Sequence, residues 1–171
     1  MGLPQRTEAA PFYFTYIDRI TGDDILETMK AQLDDTAAFL ASITEGRSLF
    51  RYAPDKWSIR QVMNHVNDTE RVFAFRALWF ARGFSEPLPS FDQNISANVA
   101  RADEHSLASY VQEFRNVREA TLSLFRNLAA EAWTRSGVAS GNAVTVNALA
   151  YIIAGHVAHH VTILRERYLP S

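Results

Sequence analysis

The sequence contains no cysteine among its 171 residues. Disulfide bonds, thiolate metal ligands and thiol nucleophiles are therefore excluded from its chemistry. A chain without cysteine also fits a reducing compartment, and we expect a cytoplasmic protein. Any thiol that takes part in a reaction here must come from a second molecule.

An excess of charge of one sign is also lacking. The formal net charge is -2 and the sequence has no run of basic residues, although arginine outnumbers lysine by 15 to 2. Nucleic acids and anionic membranes attract proteins through basic patches, so we expect neither as a partner.

Long apolar runs are missing as well. The longest candidate, residues 148–158, has 11 residues and contains a histidine, whereas a membrane span needs about 20 apolar residues. The N-terminus has neither the charged start nor the continuous apolar stretch of a signal peptide. We therefore expect no membrane-spanning segment.

Helical periodicity is present in four long segments, and the length is typical of one domain. The predicted helices cover about residues 21–44, 58–82, 107–128 and 145–168. A short helix over residues 94–100 and a small hairpin over residues 135–144 are expected between them. The pattern predicts an all-α fold, a four-helix bundle with a long crossover connection, as a single domain over residues 1–171.

Local signals support three of these helices. The first has an apolar stripe formed by Ile25, Met29, Leu33, Ala37 and Leu40. In KWSIRQV, Ser58 is a favourable N-cap for the second helix, Gln61 completes a capping box, and Trp57 can pack against Val62. The third helix is predicted to turn five apolar side chains inward: Val111, Phe114, Val117, Leu124 and Leu128.

Three of the five histidines fall within five positions of the fourth predicted helix, in YIIAGHVAHHVTILRERY. The inward stripe of this helix is defined by Leu149, Ile153, Ile163 and Arg167. At about 100° per residue, His156 and His160 flank the centre of that stripe and His159 lies at its edge. A single buried histidine is usually a neutral core residue, but two of them must satisfy four ring nitrogens. Because i, i+4 spacing also holds two imidazoles on one metal ion, a hydrogen-bonded pair and a metal site both remain open.

A third histidine, His65, lies on the apolar side of the second helix. Metal sites in bundles are built from facing helices, so His65 could lie opposite the His156 and His160 pair. Three neutral imidazoles leave a coordination position open, which is the pattern of a catalytic metal site. His105 lies at the polar start of the third helix and is expected to be solvated.

Two metal chemistries are not expected. In HVAHH, Val157 replaces the glutamate of the HExxH zinc proteases. The chain also lacks an ExxH pair on each of two helices, which argues against a ferritin-like di-iron centre. One metal ion bound by three histidines fits the sequence best.

These residues resemble the DinB-like (YfiT-like) superfamily of bacterial four-helix bundles. The resemblance covers most of the sequence and rests on FYFTYIDRI, YAPDKWSIRQVMNHVNDTERVFAFRALWFARG, PLPSFDQN and the final histidine-rich stretch. Its most specific parts are the WS start followed by HVxDxE and the HxxHH motif followed by an aliphatic pair.

The resemblance implies one divalent ion, zinc or nickel, bound in the bundle core by His65, His156 and His160. It implies an enzyme that acts on a small-molecule substrate. The reaction would be that of a thiol S-transferase or isomerase using a low-molecular-weight thiol such as bacillithiol or mycothiol, or that of a hydrolase. Because family members are often homodimers, it also implies a homodimer.

Several acidic residues near these motifs are candidates for further roles. Asp68 matches the acidic position of the family and could act as a catalytic base, orient an imidazole, or pair with Arg71 or Arg76. Glu70 is expected to be a structural charge. Asp92 in the crossover loop could reach the mouth of the site.

The alternative to an enzyme is a non-catalytic bundle whose histidines hold a structural ion or a polar network. An open coordination position beside a solvent-reachable pocket would favour the enzyme, and a sealed four-ligand site would favour the alternative. Trp79 and Phe80 are expected to pack rather than to bind substrate. Val161 stands where many relatives carry arginine.

Overall fold

The chain is mostly helical in a computed structural model that describes residues 2–169. Its helices are α1 (Phe14–Ile17), α2 (Ile25–Ala41), α3 (Ile59–Ala81), α4 (Gln93–Val99), α5 (Leu107–Arg126) and α6 (Val146–Ile163). Two antiparallel strands, β1 (Ser136–Ala139) and β2 (Asn142–Thr145), form a hairpin before α6. Short 3₁₀ turns lie at Pro11–Tyr13, Arg47–Leu49, Ala102–Glu104 and Ala130–Thr134, and a π-helical turn, Leu164–Tyr168, follows α6.

The four long helices, α2, α3, α5 and α6, form the predicted bundle. Both α2 and α3 pack against α5 and α6, so the consecutive helices α2 and α3 lie diagonally opposite each other. This arrangement uses the long connection that contains α4, between α3 and α5. The predicted four-helix bundle with a crossover connection is therefore confirmed.

The local signals behave largely as the sequence predicts. The side chain of Ser58 accepts a hydrogen bond from the backbone of Gln61 at 3.1 Å, and Gln61 Oε1 accepts one from the backbone of Ser58 at 3.0 Å. This capping box begins α3. The five stripe residues of α2 are all buried. The short helix and the hairpin lie within one residue of their predicted ranges.

The buried face of α5 differs from the prediction. Phe114 and Val117 are buried, whereas Val111, Leu124 and Leu128 are only half-buried. The buried face also includes five residues that the predicted apolar stripe left out: Tyr110, Arg118, Thr121, Leu122 and Phe125. Because Arg118 and Thr121 are polar, a prediction from apolar residues alone places the buried face of α5 at a different angle around the helix from the observed face.

The first twelve residues of α6, 146–157, are buried on every side. The predicted single inward stripe is therefore wrong for this part of the helix, although Leu149 and Ile153 are buried as expected. Arg167, predicted to face inward, is exposed. The π turn explains this, because its i to i+5 bond, from Leu169 N to Leu164 O at 3.0 Å, changes the phase of the helix.

The helical segment that contains α6 is longer than the apolar run considered in the sequence. Val146–Tyr168 is long and apolar enough to cross a membrane by length and composition alone. However, 67% of its apolar window is buried inside the protein. It therefore serves as the core helix of the bundle in this structure.

The N-terminal segment packs against α6 through a close backbone contact. A Cβ atom added at Gly155 would lie 2.2 Å from the carbonyl oxygen of Tyr16. Only glycine permits this approach. The contact places Tyr16 of α1 beside His156 of α6, and Tyr13 lies just before α1.

The hairpin between β1 and β2 holds the crossover loop. Its two-residue turn, Ser140 and Gly141, has φ values of 53° and 75°, as a type I′ turn requires. Leu88 N donates a hydrogen bond to Val138 O at 2.9 Å, and Ser140 N donates one to Leu88 O at 3.1 Å. The loop that precedes α4 is thereby fixed next to the hairpin turn.

One buried polar network connects all four bundle helices. Arg118 of α5 donates two hydrogen bonds to Glu70 of α3, both at 2.8 Å. It also donates one to Oε1 of Gln32 of α2 at 2.8 Å, and Gln32 Nε2 donates to Ala154 O of α6 at 2.8 Å. Glu70 and Arg118 are 2% and 0% exposed. Glu70 is thus a structural charge, as the sequence suggests.

Candidate metal centre

The three histidines predicted to bind a metal converge between α3 and α6. His156 Nε2 lies 3.0 Å from His65 Nε2 and 3.1 Å from His160 Nε2. One nitrogen from each ring lies within 4.8 Å of the other two. His65 and His156 are buried and His160 is half-buried. The capping box sets the start of α3, and i, i+4 spacing on α6 sets the pair.

Hydrogen bonding alone does not account for this geometry. The in-plane site of His156 Nε2 holds either one proton or one lone pair. It can therefore form a hydrogen bond with only one of the two nitrogens that face it. Three lone pairs directed at one cation remove this conflict. Two nitrogens bound tetrahedrally to zinc at 2.0–2.1 Å lie about 3.3 Å apart, close to the distances found here. The donor set therefore fits a divalent ion.

The electrostatic environment keeps the three rings neutral. Burial lowers the pKa of His65 to about 4, with a smaller contribution from His159. Burial and then the neighbouring His65 lower the pKa of His160 to about 3. The pKa of His156 is lowered well below its ordinary value, mainly by burial and then by His160. Neutral imidazole is the form that binds a metal.

Groups around the rings fix their orientation. The hydroxyl of Thr69 lies 3.2 Å from Nδ1 of His65, one turn further along α3. When Nε2 offers its lone pair to a metal, Nδ1 carries the proton and donates to this hydroxyl. The ring of Tyr16 contacts that of His156 edge to face, and the ring of Trp57 lies 5.0 Å from that of His65. Sequence analysis missed Thr69, although its i+4 spacing from His65 could have identified it.

The other two histidines lie outside the group of three. His159 is half-buried beside His160, with ring centroids 5.1 Å apart, but its nitrogens do not join the group. Burial and the nearby Arg19 lower its pKa. His105 is exposed, as a solvated residue should be.

Asp68 is directed away from the histidines. Its Oδ2 accepts hydrogen bonds from Asn64 at 3.0 Å and from Ser96 of α4 at 3.1 Å. Arg71 lies 3.7 Å from Oδ1. Of the roles considered for Asp68, these contacts support pairing with Arg71, and we do not propose it as a catalytic base.

The remaining sequence candidates have structural contacts. Asp92 accepts hydrogen bonds from the backbone of Asn94 and Ile95 and so caps α4. Phe80 is buried in the core, and Trp79 stacks on Phe84 with centroids 4.2 Å apart. None of these contacts reaches the histidines.

A cleft of about 310 Å³ reaches the histidines from one side. His65, Thr69 and Arg76 of α3 and His156 of α6 lie along it. Its other walls come from the N-terminal segment, the crossover loop and the hairpin turn: Phe12, Tyr13, Tyr16, Ser90, Phe91, Gln93 and Ser140. No carboxylate of residues 2–169 is among its lining side chains. Sequence analysis could not assemble these walls, because they come from segments far apart in the chain.

Comparison with known proteins identifies the family. The family model described as the DinB superfamily matches residues 28–164, which is most of the chain. No curated protein sequence matches this chain.

Two solved structures are similar in fold. One is YfiT from Bacillus subtilis, described as a probable metal-dependent hydrolase with an unusual four-helix bundle topology. It has 16% sequence identity and a TM-score of 0.68, covering 93% of this chain and 87% of that one. The other is the mycothiol-dependent maleylpyruvate isomerase, with 13% identity and a TM-score of 0.68. That alignment covers 85% of this chain and 61% of the isomerase. At these identities the likeness shows the fold alone.

Proposed function

Because this chain belongs to the DinB superfamily, we propose that it is a divalent-metal-dependent enzyme acting on a small molecule. The proposed ligands are His65, His156 and His160, and the proposed ion is zinc or nickel. The observation that carries the proposal is the convergence of three neutral imidazoles, two of which, His65 and His156, line a cleft. A divalent ion supplies Lewis acidity, which lowers the pKa of a bound water or thiol.

Other groups at the site orient the histidines, limit the access of water and position the substrate. Thr69 holds the proton of His65 at Nδ1 and so leaves Nε2 free to bind. The aromatic rings of Trp57 and Tyr16 pack against the histidines and limit the access of water. The cleft positions a small molecule against the histidines from one direction.

No carboxylate of residues 2–169 lines the cleft, so a water or a thiol bound to the ion would have to lose its proton there without a carboxylate base. Zinc proteases with HExxH use a glutamate as general base for water. A low-molecular-weight thiol loses its proton to solvent once its pKa is lowered, and needs no protein base. Its sulfur then bonds to the electrophilic atom of the substrate, and the leaving group departs with the bonding electron pair. On the family resemblance alone, we place a thiol S-transferase ahead of a hydrolase.

Elemental analysis tests the metal site. The protein is purified without a histidine tag or nickel resin, and we expect about one divalent ion per chain. His65→Ala, His156→Ala and His160→Ala should each lose most of the metal. His159→Ala is the matched control, because it changes an adjacent histidine outside the group, and it should retain the metal. Metal loss in His159→Ala with retention in His160→Ala would contradict the assignment of ligands.

The alternative, a non-catalytic metal- or ligand-binding bundle, predicts a closed coordination sphere. Azide added to the cobalt-loaded protein should change its visible spectrum if a position is open to the cleft. An unchanged spectrum would support the alternative. The homodimer, the cytoplasmic location and the lack of nucleic-acid or membrane partners stay predictions, and sedimentation analysis tests the first of them.

A further inference from the structure

The cleft beside the histidines contains a positive charge that no carboxylate within residues 2–169 balances. Arg76 of α3 lines the cleft and is 5% exposed. Within residues 2–169, none of the ion pairs involves Arg76. A buried guanidinium is ordinarily paired with an anion, because leaving a charge unpaired away from water is costly.

The groups that contact Arg76 are neutral. Its Nη2 donates hydrogen bonds to the carbonyl oxygen of Pro89 at 3.0 Å and to the hydroxyl of Ser140 at 2.9 Å. The ring of Phe73 lies 5.6 Å from its Cζ. The nearby phenol of Tyr13 has a pKa raised by burial, against the opposing effect of Arg76, so it is uncharged at neutral pH. The part of the chain that the structure describes supplies dipoles to Arg76 but no negative charge.

The residue that supports Arg76 is held in an unfavourable conformation. Ser140 has a φ of 53°, in the left-handed region where asparagine or glycine is preferred. Its hydroxyl both lines the cleft and accepts from Arg76. Strained residues of this kind concentrate at binding and catalytic sites.

Arg76 and His65 lie along the same face of α3. Eleven residues separate His65 from Arg76, which corresponds to about three turns and about 16 Å along the helix axis. Thr69 and Phe73 line the cleft between them. Because both side chains line the cleft, a molecule that contacts both would span up to about 16 Å.

We propose that Arg76 binds a carboxylate group of the small molecule whose reacting end lies at His65, His156 and His160. A guanidinium has five N–H donors in a planar fork that matches a carboxylate, and the two hydrogen bonds of Nη2 leave capacity for it. The cleft volume of about 310 Å³ suits a small ligand. This inference rests on the proposed function for the position of the reacting end.

A purely structural role for Arg76 makes a different prediction. Arg76 connects the crossover loop, at Pro89, to the hairpin turn, at Ser140. If that is its only role, replacing it lowers stability but creates no preference between charged and neutral ligands. Ligand charge preference is therefore the decisive measurement.

The experiment uses the cobalt-loaded full chain and thiols of increasing length. The probes are 3-mercaptopropionate, 6-mercaptohexanoate and 8-mercaptooctanoate, each compared with the alcohol of the same length. Binding is followed by the thiolate-to-cobalt absorption band. We expect at least one acid to bind about tenfold or more tightly than its alcohol, as a charge-assisted hydrogen bond should provide. Arg76→Gln should remove this preference while it retains cobalt, and Arg76→Lys should retain part of it.

A second arm does not depend on the metal. Saturation-transfer NMR compares hexanoate with 1-hexanol on the metal-free protein and on Arg76→Gln. Binding of hexanoate that is lost in Arg76→Gln would support the carboxylate site even if no thiolate band forms in any titration, which would count against the proposed function alone. Equal binding of acids and alcohols at every length, or a preference that survives in Arg76→Gln, would overturn the carboxylate site.

Discussion

Two buried arginines of this protein have opposite surroundings. Arg118 lies in the centre of the bundle, is fully buried, and forms two parallel hydrogen bonds with the carboxylate of Glu70. Arg76 lies at the cleft and has only neutral partners. Both Glu70 and Arg76 belong to α3, so one helix contributes to both regions.

The two regions differ in whether the chain itself supplies a charged partner for the buried arginine. Around Arg118, every charge has its partner, and Gln32 extends the network to α6. Along the cleft lie the cation Arg76 and the neutral imidazoles of His65 and His156, with no carboxylate of residues 2–169 among the lining side chains. The paired charges of Arg118 and Glu70 stabilise the bundle, whereas Arg76 keeps hydrogen-bond donors that could bind a ligand.

The largest expected effect on stability comes from breaking the buried ion pair between Arg118 and Glu70. Arg118→Met leaves the Glu70 carboxylate buried without its partner, and breaking a buried ion pair costs about 3–5 kcal/mol. We expect the free energy of unfolding in urea to fall by about that amount. The double variant with Glu70→Met should regain part of the loss, because it removes the stranded charge. A loss below about 1 kcal/mol would show that the pair contributes no more than a surface ion pair.

A smaller effect comes from acid acting on the metal-free histidines. The folded-state pKa of His65 is lowered from 6.5 to about 4, and that of His160 to about 3, mainly by burial. A depressed pKa contributes stability above the unfolded value, and this stability is lost as pH falls through the folded value. For His65 the shift corresponds to roughly 3 kcal/mol at most.

Urea unfolding in the presence of a chelator, compared at about pH 7 and about pH 4, measures this loss. The double variant His65→Gln with His160→Gln should lose less stability between the two pH values than the parent. If the variant and the parent lose the same amount, the acid sensitivity arises elsewhere in the molecule.

The smallest effect is expected from Arg76→Met, the counterpart of Arg118→Met. The change removes two hydrogen bonds to neutral acceptors but also removes an unbalanced buried charge. We expect the free energy of unfolding to change by less than about 1 kcal/mol. A loss as large as that of Arg118→Met would show that Arg76 is needed mainly to hold the crossover loop, and the contrast between the two arginines would disappear.

Sequence patterns predicted the elements that depend on local rules. The capping box at Ser58 and Gln61 fixed the start of α3, and the apolar stripe of α2 is buried as expected. The spacing of His156 and His160 placed both rings on one side of α6, and the structure brings His65 to them.

Contacts between distant segments were not predictable in the same way. The apolar pattern of α5 ignored Arg118, because nothing local shows that Glu70 lies opposite it. The prediction that Arg167 faces inward was wrong, because the π turn that changes the phase of the helix depends on packing rather than on propensity. Arg76 and Ser140 are 64 residues apart and meet only through the crossover and the hairpin.

The segment before α2 lies outside residues 28–164, the part of the chain that the family model covers. It supplies Tyr13 and Tyr16 to the cleft and contacts α6 at Gly155, where a side chain would collide with the backbone of Tyr16. A side chain at position 155 would therefore displace this segment from α6 and shift the wall of the cleft that Tyr13 and Tyr16 form.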